Sequence, residues 1–477
     1  MERRTRIVAT IGPASGDEGM LARLIDAGLD VARLNTSHGT LAEHVAMVAR
    51  VRKVAAAAGR HVGVLLDLAG PKLRTGPLSS EVPVELEARA SFQLAATRIA
   101  SRPGSAGIDY GRLCEDVRPG DRVLIDDGSL ELAVERIGEG VLDCRVVLGG
   151  LLNANKGVTF PDSPLTLGAL SIRDREALAA GVEAGVDFFA MSFVGAASDV
   201  TEAKELLGFL GADIPVIAKI ERRAAVEHLD DIAAASDGLM VARGDLGVEL
   251  PPEEVPVQQR RIIAAAAAHR IPVITATQML ESMTNASRPT RAESSDVAHA
   301  VWDLSDALML SGETAVGTYP VESLAMMDRI IRRAESMPAT GWKLPTAPDG
   351  DDHAYVVAIA ARDIADADAN VKAIVCFTRS GYTARLLSKI HPHTPILGVS
   401  PTEGVCRKLA LARGVIPVLF PFVDSVDEML RGLDHMALER GLLVSGDECV
   451  IVASLPMRAS GRTNFLKLHR LGESTGY

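Results

Sequence analysis

Cysteine is scarce in this sequence, and no two cysteines form a C-x-x-C pair. The five residues, Cys114, Cys144, Cys376, Cys406 and Cys449, are scattered and odd in number. That argues against a Cys-ligated metal site and fits a reducing compartment. Most of them read as small buried hydrophobes. No run of about 18 uncharged apolar residues occurs, so no membrane-spanning helix and no membrane partner are expected. The opening residues, M-E-R-R-T-R-I-V, lead straight into a strand and leave no room for a signal peptide, so a cytoplasmic protein is expected. A formal net charge of −12 disfavours non-specific binding to nucleic acid. Three common signatures are missing as well: G-x-x-x-x-G-K-[ST], G-x-G-x-x-G after a strand, and H-E-x-x-H. Any nucleotide must therefore be held without a P-loop.

What is present is a long chain able to build large cores. Its 477 residues imply two to four domains, and 47% of them are apolar. From Arg6 onward, apolar runs alternate with helical patterns at a period of about 30 residues, which implies parallel β/α structure. The rhythm breaks between about Pro77 and Thr159. Short alternating segments there read as antiparallel strands, with Asp126-Asp127-Gly128 as a hairpin turn. The β/α rhythm then resumes and brings the count to eight strand–helix units, the number of a (β/α)8 TIM barrel. The insertion reads as a small β-barrel lid able to rock over it. After a linker at 338–350, rich in Pro, Thr, Gly and Asp, four further strands alternate with helices. They imply a three-layer α/β domain. The expected boundaries are barrel at 1–76 and 160–345, lid at 77–159, and C-terminal domain at 346–477.

The chemistry gathers at strand ends. V-I-A-K-I-E at 216–221 and D-G-L-M-V-A-R-G-D-L-G-V-E at 237–249 are apolar strands that end in charge. Glu221 and Asp245, on adjacent strands, suit one divalent cation, with Lys219 close to whatever that cation holds. The plainer reading is a surface ion pair. Gly244 and Gly247 bracket Asp245 and suggest close backbone approach. Other strand ends offer Arg33 and Asn35, Asp67 and Arg74, Thr277, and Ser311 with Glu313. Cations for a phosphorylated anion and carboxylates for a hard metal are therefore available. His38 stands alone and reads as structural, capping the helix at about 40–58. Proton transfer or phosphoryl transfer fits this inventory. A loop at 377–383, F-T-R-S-G-Y-T, runs from a strand into a helix. It reads either as an oxyanion site or as a Ser/Thr cap.

The chain resembles the pyruvate kinase family along essentially its whole length, most closely the bacterial, potassium-independent subgroup. The resemblance rests on T-I-G-P-A-S at 10–15, V-A-R-L-N at 31–35, S-H-G at 37–39 and N-K-G-V at 155–158. It continues with M-S-F-V at 191–194, A-K-I-E at 218–221, M-V-A-R-G-D-L-G-V-E at 240–249, T-A-T-Q-M-L-E-S-M at 275–283 and M-L-S-G-E-T-A at 309–315. It implies phosphoryl transfer from phosphoenolpyruvate to ADP, giving pyruvate and ATP. Lys219 and Arg33 would hold the phosphoryl group, and Thr277 would lie near the enolate carbon. Glu221 and Asp245 would bind Mg²⁺ or Mn²⁺, and a second Mg²⁺ would arrive with the nucleotide. The amides of Gly244 and Asp245, with Arg74 and Thr277, would bind substrate. Asn35, Ser37, Asp67 and Leu68 match the family's monovalent-cation region. Lys72, in L-D-L-A-G-P-K, replaces a usual glutamate and implies that K⁺ is not required. Thr378, Ser380, Gly381 and Thr383 match an effector loop for a sugar phosphate or AMP, with G-R-T-N at 461–464 beside it. A homotetramer is implied. Two departures stand out: Thr36 where the family usually has Phe, and Gly195 where it often has Arg. Two other readings stay open, a metal-dependent aldolase or lyase acting through a pyruvate enolate, and a sugar-phosphate-binding regulatory protein with a decayed site.

Overall fold

Eight short strands, buried on both faces, account for the near-continuous apolar runs of the sequence. They are β1 (Arg6–Thr10), β2 (Val31–Asn35), β3 (Gly63–Leu68), β4 (Phe188–Met191), β5 (Val216–Ile220), β6 (Gly238–Ala242), β7 (Val273–Ala276) and β8 (Ala307–Leu310). Each pairs in parallel with its sequence neighbours, and β1 closes the ring on β8 with Arg6 opposite Ala307. The structure is a computed structural model that describes residues 3–337, 353–456 and 463–472. The 338–350 linker lies outside the described residues. Among those described, no helix is long and apolar enough to cross a membrane.

The outer helices begin where the sequence supplies caps. Thr40 and Ser171 each accept from the amide three residues on, and Glu43 and Asp174 bond back. Thr40, not His38, therefore caps the helix Leu41–Ala57; His38 contributes its carbonyl to His44 Nε2 at 2.8 Å.

The insertion follows β3 and folds around its own apolar core. It consists of a six-stranded sheet and a two-stranded ribbon. Asp126 and Asp127, at φ 54° and 53°, make the expected hairpin turn between Arg122–Ile125 and Leu130–Ile137. One expectation is corrected. The strands are not all antiparallel, because Ser91–Ala95 pairs in parallel with Ser105–Gly107.

The C-terminal sheet has the order β11-β10-β9-β12-β13, with β9 (Val371–Phe377), β10 (Ile396–Ser400), β11 (Val415–Leu419), β12 (Glu448–Ala453) and β13 (Phe465–Arg470). Apolar clusters on both faces make it a three-layer domain. The antiparallel edge strand β13 was not expected. This domain docks on the N-terminal ends of the barrel strands. Lys389 reaches Asp306, just ahead of β8, at 2.7 Å, and Arg407 reaches Asp187, just ahead of β4, at 2.9 Å. The Arg6 guanidinium donates to the carbonyls of Ala412 and Val415. The C-terminal strand ends are left at the opposite pole, facing the lid.

Candidate active site

The register sets Lys219 of β5 beside Met240 of β6, near the C-terminal rim. Lys219 is buried. Its Nζ donates to Ser192 Oγ at 2.7 Å and lies 3.2 Å from Glu221 Oε2 and 3.6 Å from Asp67 Oδ1. Burial works against its charge, but Asp67 and Glu221 outweigh it and hold the ammonium above its ordinary value. Burial pushes Glu221 up to about 7, against Lys219 and assisted by Asp245. Arg33 stands on the neighbouring wall. Its Nε donates to Asp67 Oδ2 at 2.7 Å and its Nη1 to Thr10 Oγ1 at 2.8 Å. Two cations are thus fixed in place by protein groups, which removes reorganisation when an anion arrives.

The carboxylates fit a hard divalent cation. Glu221 Oε1 accepts from the Phe193 amide at 2.6 Å, while Oε2 is buried with no hydrogen-bond partner. Asp245 lies in the first turn of the helix Arg243–Glu249, directly after β6, and is partly exposed. Among the described residues, no three His, Cys, Asp or Glu side chains form a metal cage. Two carboxylates leave the remaining positions to substrate oxygens and water, the usual state of a Mg²⁺ site.

Thr277 sits past β7 at φ 68°, with Gln278 at φ 54°. A β-branched residue there is an outlier, costing on the order of 1–3 kcal/mol. Arg243 holds the loop in place. It donates to the Thr277 carbonyl at 2.6 Å and to Asp296 at 2.7 Å. The Gly244 amide donates to Thr277 Oγ1 at 2.8 Å. The protein itself does not crowd Gly244 or Gly247. A side chain at either position would make ordinary contacts at 3.5 and 3.7 Å.

The expected monovalent-cation residues are largely engaged already. Asn35 Oδ1 accepts from the Ser37 amide at 3.1 Å, and the Leu68 carbonyl accepts from Ser192 Oγ at 2.7 Å. Asp67 is paired with Arg33, and its Oδ1 has no hydrogen bond. Thr36, the departure from phenylalanine, donates to the Asp67 carbonyl at 2.9 Å. The other departure, Gly195, leaves room beside Arg222, whose Nη1 would lie 3.6 Å from an added Cβ. Lys72 lies between Asp245, at 3.8 Å, and Asp127 of the lid hairpin, at 3.9 Å. Arg74 is exposed at the lid junction, where it donates to the Asn155 carbonyl at 3.1 Å. Glu313 is no part of the site; it accepts from the amides of Leu280 and Ser311 and ties two loops together. Beside Asp245, a cavity of about 630 Å³ opens between Lys72, Asp127, Arg243 and Gln278.

In the C-terminal domain, Thr378 Oγ1 accepts from the Gly381 amide at 3.0 Å, and Gly381 has φ 81°. Ser380 Oγ accepts from the Tyr382 amide at 3.4 Å. Thr383 Oγ1 meets Thr463 Oγ1 at 2.6 Å, which joins the loop to the end of 461–464; residues 461 and 462 lie outside the described residues.

Sequence reasoning missed Ser192, Thr10 and Arg243. Ser192 had a signal, since it directly follows β4 at the catalytic rim.

Comparison with known proteins gives a consistent result. The family model described as "Pyruvate kinase, barrel domain" matches residues 2–324, and "Pyruvate kinase, alpha/beta domain" matches 356–469. The chain is 43% identical over 473 residues to a pyruvate kinase of Mycobacterium intracellulare, covering 99% of each. It is 42% identical over 478 residues to one of Corynebacterium glutamicum, covering 100% of this chain and 99% of that one. A crystal structure of a pyruvate kinase from Cryptosporidium parvum superposes with a TM-score of 0.92 at 34% identity, covering 98% of this chain and 96% of the other.

Proposed function

Because the chain belongs to the pyruvate kinase family, and so transfers a phosphoryl group from phosphoenolpyruvate to ADP, we propose which of its residues run the reaction. The observation that carries the assignment is the buried set Lys219, Glu221, Asp67 and Arg33, brought together from β2, β3 and β5 at one end of the barrel. Lys219 stays charged and faces the phosphoryl group as it passes between oxygens, where a fixed cation lowers the barrier most. It also faces the oxygen that becomes the enolate. Ser192 aims its Nζ. Arg33, locked by Asp67 and Thr10, is the second cation on the phosphoryl oxygens.

Glu221 and Asp245 hold the Mg²⁺ or Mn²⁺, which supplies charge neutralisation to the substrate oxygens when bound. The substrate carboxylate takes the amides of Gly244 and Asp245, displacing Thr277 Oγ1 from the first. The freed hydroxyl then lies beside the enolate carbon, placed to relay the proton that yields pyruvate. ADP, with its own Mg²⁺, enters the cavity beside Asp245, and Arg74 steadies substrate at the lid junction. The lid closes through Asp127 and limits water as a competing acceptor.

We further propose that K⁺ is dispensable. The carbonyl of Leu68 and the amide oxygen of Asn35 are already bonded, and Lys72 brings an ammonium to the edge of the site. The 378–383 loop binds a sugar phosphate or AMP, and the working assembly is a cytoplasmic homotetramer. The test is initial-rate pyruvate formation from phosphoenolpyruvate and ADP with Mg²⁺ in tetramethylammonium buffer, with and without K⁺. Equal, substantial rates support the assignment of Lys72. Activity only with K⁺ removes it from that role, and no activity in folded protein overturns the site.

A further inference from the structure

The barrel rim beside the lid carries charges that the mechanism leaves unused. Arg222 directly follows Glu221 and stands at the start of the short helix Arg223–Glu227. Its side chain is half-buried, and among the described residues it makes no hydrogen bond and no ion pair. Its Nη1 lies 3.6 Å from where a Cβ on Gly195 would stand. Arg223 Nη2 donates to the Glu249 carbonyl at 3.5 Å, and its Nε is buried without a hydrogen-bond partner. Glu249 is buried at the end of the helix Arg243–Glu249, where its carboxylate accepts from the Arg223 amide at 3.3 Å. Burial raises the Glu249 carboxyl, and Arg222 is the largest influence opposing that rise. The lid side of the seam carries an unpaired charge of the opposite sign. Glu131, on the lid strand Leu130–Ile137, is half-buried and has no hydrogen-bond or ion-pair partner for its carboxylate among the described residues. It stands opposite Leu124, two residues along from Arg122. Arg122 is already committed, since its Nε and Nη2 hold both oxygens of Asp162 at 2.8 and 2.9 Å. Asp162 holds that guanidinium above its ordinary value, and Glu131 and Glu249 add to the effect, so charges of lid and barrel share one field.

We propose that Arg222 is a positioning residue of the reaction: lid closure brings Glu131 onto its guanidinium, and the pair holds the lid shut over bound substrate. A half-buried charge without a partner has lost hydration and gained nothing in return. Pairing the two across a narrowing seam removes that cost on both sides, and the guanidinium fork suits a carboxylate. Asp162 is filled by Arg122, and Glu249 belongs to the barrel, so Glu131 is the carboxylate able to tie the lid to Arg222. The tip of its hairpin already stands at the rim, where Asp127 lies 3.9 Å from Lys72. Both metal carboxylates are continuous with the seam. Glu221 precedes Arg222, and Asp245 lies on the helix that ends in Glu249. A divalent cation on Glu221 and Asp245 fixes both segments, so loading of the site sets Arg222 before the lid comes down. The inference rests on the reading of those two carboxylates as metal ligands and of the insertion as a closing lid.

The experiment is a double-mutant cycle on the full chain, with Glu131→Gln, Arg222→Met and the two together. The readouts are kcat and KM for phosphoenolpyruvate with Mg²⁺ in tetramethylammonium buffer. Each single variant is expected to raise KM about fivefold with kcat little changed, and the double variant to be no worse than either single one. Effects that multiply in the double variant overturn the pairing. Should Arg222→Met fail to fold, the parent and Glu131→Gln decide. In the parent, Mg²⁺ with phosphoenolpyruvate is expected to slow modification of Arg222 by phenylglyoxal, read by mass spectrometry, but not that of the exposed Arg60. In Glu131→Gln that slowing is expected to be lost. Equal slowing in the two proteins overturns the pairing, and so does a parent that turns over without any slowing. A folded parent that makes no pyruvate overturns the active-site reading and the pairing with it.

Discussion

Replacing Lys219 with methionine isolates the group on which the active site is built. The side chain keeps its length and loses its charge. Two effects follow from the geometry, and they are separable. The first is structural. Asp67 Oδ1 and Glu221 Oε2 have no hydrogen bonds, and Lys219 stands 3.6 and 3.2 Å from them. Removing one partner of a buried charge cluster costs about 3–5 kcal/mol, so the metal-free variant is expected to unfold at lower urea concentration. Bound Mg²⁺ restores positive charge beside Glu221 and is expected to recover much of that loss. The second effect is catalytic. Removing one preorganised donor from a developing oxyanion costs about 2.7–4 kcal/mol, or 10²–10³ in turnover, and a full charge sets the expectation at the upper end. The assay is steady-state pyruvate formation at saturating Mg²⁺, with active sites counted by Mn²⁺ binding. The expected outcome is a kcat about a thousandfold lower with KM for phosphoenolpyruvate little changed. A kcat within tenfold of the parent, or a defect wholly in KM, would refute the argument that Lys219 acts on the transition state.

Three more outcomes are expected. Thr277→Ala removes the acceptor of the Gly244 amide and is expected to lower kcat about a hundredfold, while Thr277→Ser stays within a few-fold; equal rates for both variants would count against the hydroxyl. His391 accepts from Arg413 Nη1 at 3.2 Å, and burial together with Arg413, Lys389 and Arg4 holds its pKa well below the ordinary value. The unfolded chain therefore binds the extra proton below about pH 6.5, and stability is lost by up to about 1.4 kcal/mol per pH unit as pH falls further. His391→Asn accepts the same hydrogen bond and tolerates φ 48°, so its urea midpoint is expected to fall less than the parent's between pH 7.5 and 5.5; parallel curves would sink the assignment. Lys72→Glu reverses the charge 3.8 Å from Asp245 and is expected to make pyruvate formation depend on added K⁺, measured in tetramethylammonium buffer; an unchanged response to K⁺ would place Lys72 outside the site.

The parts of this molecule that could be read in the sequence are those whose signals are local. Each barrel strand is a short run of residues buried on both faces, and each ends in a turn or a charge. β5 therefore announced Lys219 and Glu221 before any contact was known. The Asp126-Asp127-Gly128 turn was legible for the same reason, because its backbone angles depend on those residues alone. Partners contributed from a distance were not legible. Lys389 reads as a residue at the end of an amphipathic helix, yet it is buried against Asp306, 83 positions away. Arg243 reads as a residue flanking a glycine, yet it pins the Thr277 loop 34 positions on. β13 was missed because F-L-K-L-H-R lies at the open edge of its sheet, where one antiparallel neighbour suffices to form it and only His469 of the six residues is buried, so no apolar run marks it.

The same distinction bears on how the two ends of the barrel divide their work. At the catalytic rim each essential group is carried by its own strand, and Arg33 is held wholly within the barrel by Asp67 and Thr10. At the floor the position of each group depends on the other domain. Arg6 needs the carbonyls of Ala412 and Val415, and Asp187 needs Arg407 as well as Arg52. Strand β4 connects the two ends, running from Asp187 at the floor to Ser192 just past the rim, and Ser192 is the donor to the Leu68 carbonyl and the acceptor for Lys219. A shift of the C-terminal domain that loosens Arg407 from Asp187 therefore acts on the aim of Lys219 through Ser192 and on Glu221 through the Phe193 amide, and leaves Arg33 in place. Arg407→Met tests this step: kcat is expected to fall in the folded variant, and an unchanged kcat would break the proposed path along β4.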